Sequence, residues 1–201
     1  MYTLVGSHTS PYVRKLRMYL LHHQIPFQFK TINYLEANDA AFLKQNNPIN
    51  KIPFLVIEGT TGASKSLFES RVIYNYLNHF HQLPLLNLTE ENILSFIDAT
   101  LDTAILLFSM KRAQINIEED NAYFLRQKNR IPALLEAIHQ YLVEEKLLFS
   151  PMWNFNTMSL YALLDWMRFR QVIDLEQIPW TTDFLKTYAH FKEVSLTEII
   201  A

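Results

Sequence analysis

Two serines stand where helices begin, and a helix start is a place where negative charge can be held. Ser10 is followed by Pro11, and Ser70 follows Glu69. Serine is a favoured N-cap, and proline is favoured at the first helical position. The first turn of a helix presents unpaired backbone N–H groups and the positive end of the helix dipole, so an anion is stabilised there. The Ser10 hydroxyl can add a donated hydrogen bond. Simple capping is the competing role for either serine, and His8, Thr9 and Tyr12 are rival groups beside Ser10. The chain contains no cysteine. Disulfides, Cys-ligated zinc, iron–sulfur clusters and any mechanism through a protein thiol are therefore excluded. The 7 histidines show no HExxH or comparable ligand spacing, so no metal is expected.

The elements that must position these residues follow from short apolar runs and their breakers. Residues 3–5 form an apolar run bounded by Gly6, which predicts a buried strand. Helical spacing of Val13, Leu16, Leu20 and Leu21 then predicts a helix opening at Ser10-Pro11 and ending before Pro26. Residues 27–31 predict a second strand, and strand–helix–strand implies a right-handed crossover between parallel strands. A short helix is expected at 38–45 and a third strand at 53–57. A turn at 59–62 and a fourth strand at 65–68 complete an antiparallel hairpin. A helix from Ser70 carries Val72, Ile73, Tyr76, Leu77 and Phe80. The order β-α-β-α-β-β-α fills residues 1–81.

Beyond a linker at 82–88 the pattern becomes wholly helical, over residues 89–201. Thr89 is the expected N-cap of a long helix carrying Ile93, Phe96, Ile97, Leu101, Ala104 and Phe108. A second runs from about 118 to 145, with a kink or break expected at Pro132. Further helices are expected at 159–170 and 183–192. The net charge is −2 with no Lys/Arg run, which argues against nucleic acid. The longest apolar runs fall far short of the about 20 residues a bilayer span needs, so no membrane association is expected and a cytoplasmic protein is the default. Only 3 glycines are present, which argues against glycine-rich phosphate loops.

Three local sequences in this order resemble the glutathione transferase superfamily. They are Ser10-Pro11-Tyr12-Val13-Arg14-Lys15, Asn47-Pro48-Ile49-Asn50-Lys51-Ile52-Pro53, and Phe68-Glu69-Ser70-Arg71. A helical half of matching size follows, so the resemblance covers nearly the whole chain. It is nearest to bacterial and plant-type members with a serine active site. The resemblance implies a thioredoxin-like N-terminal domain and an all-helical C-terminal domain, with glutathione held between the halves as co-substrate.

Ser10 and Val13 stand where thioredoxin-like proteins carry Cys-X-X-Cys. The resemblance implies that the Ser10 hydroxyl bonds the glutathione sulfur and lowers its thiol pKa. Two units require about 2.7 kcal/mol, within reach of a charge-assisted hydrogen bond and a helix end together. It further implies a cis Pro53, with the backbone of Ile52 pairing the cysteinyl part of glutathione like an added strand. Lys51 would meet the glycyl carboxylate. Ser70 would take the γ-glutamyl carboxylate, and Glu69 the γ-glutamyl ammonium. A plain strand-start proline, a solvated lysine and a first-turn acid are the competing roles for Pro53, Lys51 and Glu69.

The implied activity is attack of the activated thiolate on a small apolar electrophile. Isomerisation and peroxide reduction start from the same thiolate. The alternative is a catalytically weak binding or regulatory protein on the same fold. Such a protein normally loses the hydroxyl, Lys51 or Glu69, and this chain keeps all three. A homodimer is implied, with Phe68, Tyr74 and the first helix of the second half as candidate surface. Leu107, Phe108 and Met110 are candidates for an acceptor pocket, with core packing as their competing role. Asn154-Phe155-Asn156-Thr157 resembles the family's capping segment before its central helix. The family usually has an acid where Thr157 stands, which leaves the strength of that cap open.

Overall fold

The computed structural model describes residues 1–33, 36–59, 63–116, 121–145 and 152–200. The N-terminal part is a four-stranded mixed sheet with helices, a thioredoxin-like arrangement, and a helical part follows. Strands β1 (Tyr2–Gly6), β2 (Phe27–Thr31), β3 (Phe54–Glu58) and β4 (Ser64–Phe68) form a sheet of order β2-β1-β3-β4. β1 runs parallel to β2 and antiparallel to β3, and β3 runs antiparallel to β4. Helix α1 (Pro11–His22) makes the crossover, α2 (Ala37–Asn46) lies between β2 and β3, and α3 (Ser70–His81) follows β4. Of the turn expected at 59–62, residues 60–62 lie outside the described residues; Gly59 donates its N–H to the Ala63 carbonyl at 2.9 Å.

The crossover is tight. A Cβ built on Gly6 would lie 2.3 Å from Val13 Cγ2, so the end of β1 touches the first turn of α1 where only glycine fits. Leu4, Val5, Val13, Leu16, Phe54, Leu55, Ile73 and Leu77 are fully buried. The Tyr19 hydroxyl donates to the Asn78 side-chain carbonyl, tying α1 to α3 inside this core.

The helical part comprises α4 (Leu88–Arg112), α5 (Ala122–Glu144), α6 (Phe155–Arg170), a 3-10 turn (Leu175–Gln177) and α7 (Pro179–Tyr188). A last short helix, α8 (Lys192–Leu196), ends the chain. Several boundaries differ from expectation, two of them because of a cap. Asn87, not Thr89, caps α4: its side chain accepts from the Glu90 N–H and the Glu90 carboxylate accepts from the Asn87 N–H. α6 starts at Phe155, before the expected 159, because Asn154 and Thr157 form a second reciprocal cap. The start of the second long helix near 118 falls outside the described residues, and α5 is capped by Asn121. α5 continues unbroken through Pro132. The helix expected at 183–192 begins earlier, at Pro179, and ends at Tyr188.

Helix α4 corrects the reading of apolar runs. Asp98 and Asp102 interrupt those runs, yet among the described residues α4 is long and apolar enough on average to cross a membrane. One such helix is weak evidence for a span. Its buried residues, among them Ile93, Leu94, Ile97, Leu101 and Leu107, belong to a core in which α4 packs on α5 and α6.

The chain divides into two compact units, residues 86–190 and the remainder. Residues from Phe191 onward thus group with the sheet rather than with the helices preceding them in sequence. Two buried arginines of α1 explain this. Arg14 donates to the Val194 carbonyl and the Thr197 hydroxyl, each at 3.4 Å, and Arg17 donates to the Leu196 carbonyl at 3.2 Å. Two of these acceptors, Val194 and Leu196, are carbonyls at the end of α8, where a cation is favoured.

Candidate functional site

Strand register brings the three motifs to one end of the sheet. Val5 pairs with Phe54, and Phe54 pairs with Phe68. The chain leaves β1 just beyond Val5 toward Ser10, enters β3 just before Phe54 from Lys51-Ile52-Pro53, and leaves β4 just beyond Phe68 into Glu69-Ser70. Neighbouring strands lie about 4.8 Å apart, so these three segments are adjacent at the same edge.

Ser10 caps α1. Its oxygen accepts from the Val13 N–H at 3.3 Å, with Pro11 at the helix start. Accepting that bond leaves the hydroxyl proton free to be donated elsewhere, so capping and a catalytic role are compatible. The rivals are engaged differently. His8 Nδ1 lies 3.3 Å from an Arg17 nitrogen, and its Nε2 lies 3.4 Å from the Thr31 hydroxyl. A guanidinium only donates, which makes Nδ1 the acceptor and puts the ring proton on Nε2. Burial and the Arg17 charge hold the His8 pKa below its ordinary value. Thr9 makes a 3.4 Å contact with the Ser7 hydroxyl, and the Tyr12 ring carries the Lys15 ammonium 4.9 Å from its centre.

The second segment is organised by a residue whose role the sequence did not disclose. Asn47 is almost fully buried. Its amide donates to the Lys51 carbonyl at 2.6 Å, and its side-chain oxygen accepts from the Ile49 N–H at 2.9 Å. Asn followed by Pro is a turn signal, but the long reach to Lys51 is visible only in the fold. The Ile52–Pro53 peptide bond is cis. The Ile52 side chain packs against the Val5–Phe54 cluster, and the sheet pairing starts two residues later at Phe54. Lys51 is exposed.

In the third segment Glu69 occupies the cap position of α3 and Ser70 is its first helical residue. The Glu69 backbone has φ 69° and ψ 133°, a conformation that costs a non-glycine residue on the order of 1–3 kcal/mol. Its side chain makes no capping bond and is exposed, whereas Ser70 is buried. Strain of this kind concentrates at ligand-holding positions.

Other expected residues fall elsewhere. Tyr74 is 2% exposed and packs on the Tyr19 ring, and Phe68 packs against the β-sheet cluster. Tyr74 belongs to the core of the sheet unit and is not surface for a partner, whereas Phe68 stays half-buried. Leu107 and Phe108 line a cavity within the helical unit, and Met110 is not among its lining residues. Among the described residues no three His, Asp or Glu side chains cluster as a metal site.

Comparison with known proteins agrees with this fold. Residues 4–84 match the family model of the glutathione S-transferase N-terminal domain. The uncharacterized GST-like protein YibF of Escherichia coli (strain K12) is 30% identical over 176 residues, covering 84% of this chain and 83% of that protein. The chain belongs to the glutathione S-transferase family. Solved structures share the whole fold of this transferase relative. A glutathione S-transferase from Methylobacillus flagellatus KT with glutathione bound has a TM-score of 0.80 at 23% identity, with both chains covered completely. Maleylacetoacetate isomerase from Anaeromyxobacter dehalogenans 2CP-1, also with glutathione bound, has a TM-score of 0.72 at 17% identity over 98% of this chain and 94% of that one.

Proposed function

We propose that this protein binds glutathione at the end of the sheet and activates it as a thiolate for attack on a small apolar electrophile. What supports the reading is the convergence, through the Val5–Phe54–Phe68 register, of a hydroxyl at a helix start, a cis Ile52–Pro53 bond and a strained Glu69. Ser10 donates to the sulfur while its oxygen holds the Val13 N–H. The backbone of Ile52 pairs with the cysteinyl part, beyond the last paired residue of β3. Lys51 takes the glycyl carboxylate, Ser70 the γ-glutamyl carboxylate and Glu69 the ammonium. The protein is a homodimer acting in the cytoplasm. The exposed α3 side chains Val72 and Phe80, eight residues apart on one helix face, offer the apolar contact surface.

Calorimetry with glutathione tests the reading. We expect stoichiometric binding, weakened by roughly 1–3 kcal/mol in Glu69→Ala, the scale of a lost charge-assisted bond. No heat and no thermal shift at millimolar glutathione would sink the proposal. Binding without turnover across a panel of electrophiles would instead favour the regulatory alternative. A monomeric mass by light scattering would remove the dimer.

A further inference from the structure

The loop between β1 and α1, residues 7–10, carries Ser10, and one side chain of that loop is held from three directions. His8 Nδ1 accepts from an Arg17 nitrogen at 3.3 Å, and its Nε2 lies 3.4 Å from the Thr31 hydroxyl of β2. The ring also meets the Phe29 ring edge-on at 5.1 Å. Arg17 closes the arrangement. Its guanidinium lies over the same Phe29 ring, 4.5 Å from the centre, and its second terminal nitrogen donates to the Leu196 carbonyl at 3.2 Å. Arg17 is 9% exposed, and a cation so far from water needs acceptors. Within the loop itself, Ser10 donates its N–H to the Ser7 carbonyl at 3.3 Å, and the Ser7 and Thr9 hydroxyls lie 3.4 Å apart. Both distances exceed the usual range for their type. The contacts of His8 are long as well, yet they converge on one flat ring and oppose its turning.

We propose that His8 and Arg17 are positioning residues for Ser10, forming a strut from the C-terminal segment at Leu196 to the β1–α1 loop that fixes where the Ser10 hydroxyl points. This deepens the glutathione reading and rests on it for the catalytic consequence, whereas the strut itself needs no ligand. All its parts lie in the sheet unit. His8 stands two residues before Ser10, so a change in the His8 backbone reaches Ser10 through a single intervening residue. The Ser10 oxygen already holds the Val13 N–H at 3.3 Å, which limits the directions in which its proton can be donated. A donor stabilises developing charge only when it is held in place beforehand, and a misplacement of about 1 Å can cost on the order of a hundredfold in rate. What the strut requires of position 8 is an acceptor, because a guanidinium only donates. Asparagine carries an acceptor at the same distance from the main chain as Nδ1, and leucine carries none.

Hydrogen exchange of single amides, read by NMR on the full chain, and the ultraviolet absorbance of glutathione thiolate bound to it test the proposal. In His8→Leu we expect the Val13 N–H to exchange about tenfold faster or more, with the Leu20 N–H later in α1 changed by less than about twofold. Glutathione affinity should hold while the bound thiol ionises at higher pH. His8→Asn should restore most of both readings. Arg17→Met should reproduce His8→Leu, and the double variant should lose little more than either single one, as two parts of one device do. Should Arg17→Met fail to fold, the contrast between His8→Asn and His8→Leu carries the decision. A Val13 amide at the wild-type rate in His8→Leu would overturn the strut. So would a rise shared equally by Leu20, a His8→Asn no better than His8→Leu, or additive losses in the double variant. A faster Val13 amide with an unmoved thiolate titration would overturn the positioning role. If the wild type holds no bound thiolate, the glutathione reading fails alone, and amide exchange still decides the strut.

Discussion

The sheet unit and the helical unit hold their candidate residues in different ways. In the sheet unit, three segments far apart in sequence are aligned because Val5, Phe54 and Phe68 lie in register on neighbouring strands. A strand offers no choice of angle there; pairing one residue fixes what lies just beyond it. In the helical unit, no such ladder exists. Phe108, Ile131 and Arg170 come together because α4, α5 and α6 begin and end where their caps put them and pack at angles set by side chains. Register therefore sets the geometry of the first group of residues, and caps and packing set the geometry of the second. Substitutions that attack register should be severe, and those that attack a cap should be mild.

The sharpest way to break this contrast is Gly6→Ala. The new methyl would meet Val13 Cγ2 at 2.3 Å, so α1 must move away from β1. Overpacking of this kind costs about 3 kcal/mol or more when backbone must shift. We expect chemical denaturation to show that loss, and Val13→Ala placed on top of it to restore part of it, as a positive coupling in a double-mutant cycle. A Gly6→Ala protein of wild-type stability would show that the tight crossover does not hold Ser10 in place.

Next in size is Ser10→Ala. If the hydroxyl stabilises bound thiolate, the variant should keep glutathione affinity but lose roughly tenfold to hundredfold in kcat/KM near neutral pH, the worth of about 1.5–3 kcal/mol for one bond to a charged sulfur. The bound thiol should ionise at higher pH, so much of the loss should vanish at a pH above both thiol pKa values. Removing only the bond to the Val13 N–H would lower the melting temperature and leave the pH profile where it is. Ultraviolet absorbance of bound thiolate against pH separates the two: coincident titrations would reduce Ser10 to a cap and pass the role to Thr9, His8 or Tyr12.

In the helical unit the corresponding lesion is at Thr157, and it should be smaller. The Thr157 hydroxyl accepts from the Asn154 N–H at 3.0 Å and donates to the Met152 carbonyl at 2.7 Å. An acid in its place would accept the first bond and could not donate the second. The departure from the family pattern is thus a local fit, and the cap is complete without a carboxylate. Thr157→Val should cost about 1 kcal/mol, the usual worth of a cap. Thr157→Asp should also destabilise, because an ionised oxygen would face a carbonyl. A stabilised Thr157→Asp would show that the second bond carries no weight.

The same contrast accounts for what could be read without a structure. β2 falls on residues 27–31 as expected, because short apolar segments bounded by Gly and Pro leave few places for a strand. Ser10 and Glu69-Ser70 were legible because strand-to-helix turns are punctuated by residues with strong local preferences. Asn87 was not, since Asn87 and Thr89 are both good caps and only the reach of Glu90 back to the Asn87 N–H decides between them. Nothing local marks Arg14 and Arg17 as buried, because their burial depends on a segment about 180 residues later in the chain. Arg170 was equally hidden. Nothing local distinguishes an arginine at a helix end that is solvated from one folded over Phe108.

The smallest expected effect is one of pH, and it should touch the units unequally. His8 and His23 both have pKa values held below the ordinary 6.5, in each case chiefly by burial. Both belong to the sheet unit. His23 packs its ring against Tyr19 at 4.5 Å and His22 at 5.0 Å, and the charges of His22 and His81 also oppose its protonation. The sign follows from proton uptake. Below about pH 6.5 the unfolded chain binds protons that the folded chain still refuses, so the unfolded state is favoured as pH falls until the folded pKa is passed. Stability contributed by these rings is thus complete above pH 6.5 and declines below it. Lowering the pH from about 7.5 to about 5.5 should lower protection of the α1 amides against hydrogen exchange. The change in α6 should be less, if the units open separately. All 3 tryptophans, Trp153, Trp166 and Trp180, lie in the helical unit, so their emission gives an independent reading of that unit across the same range. His23→Gln removes one of the two titrations, and its stability should fall less steeply with acid than that of the wild type. Parallel slopes for the two proteins would show that the burial of His23 does not couple the fold to pH.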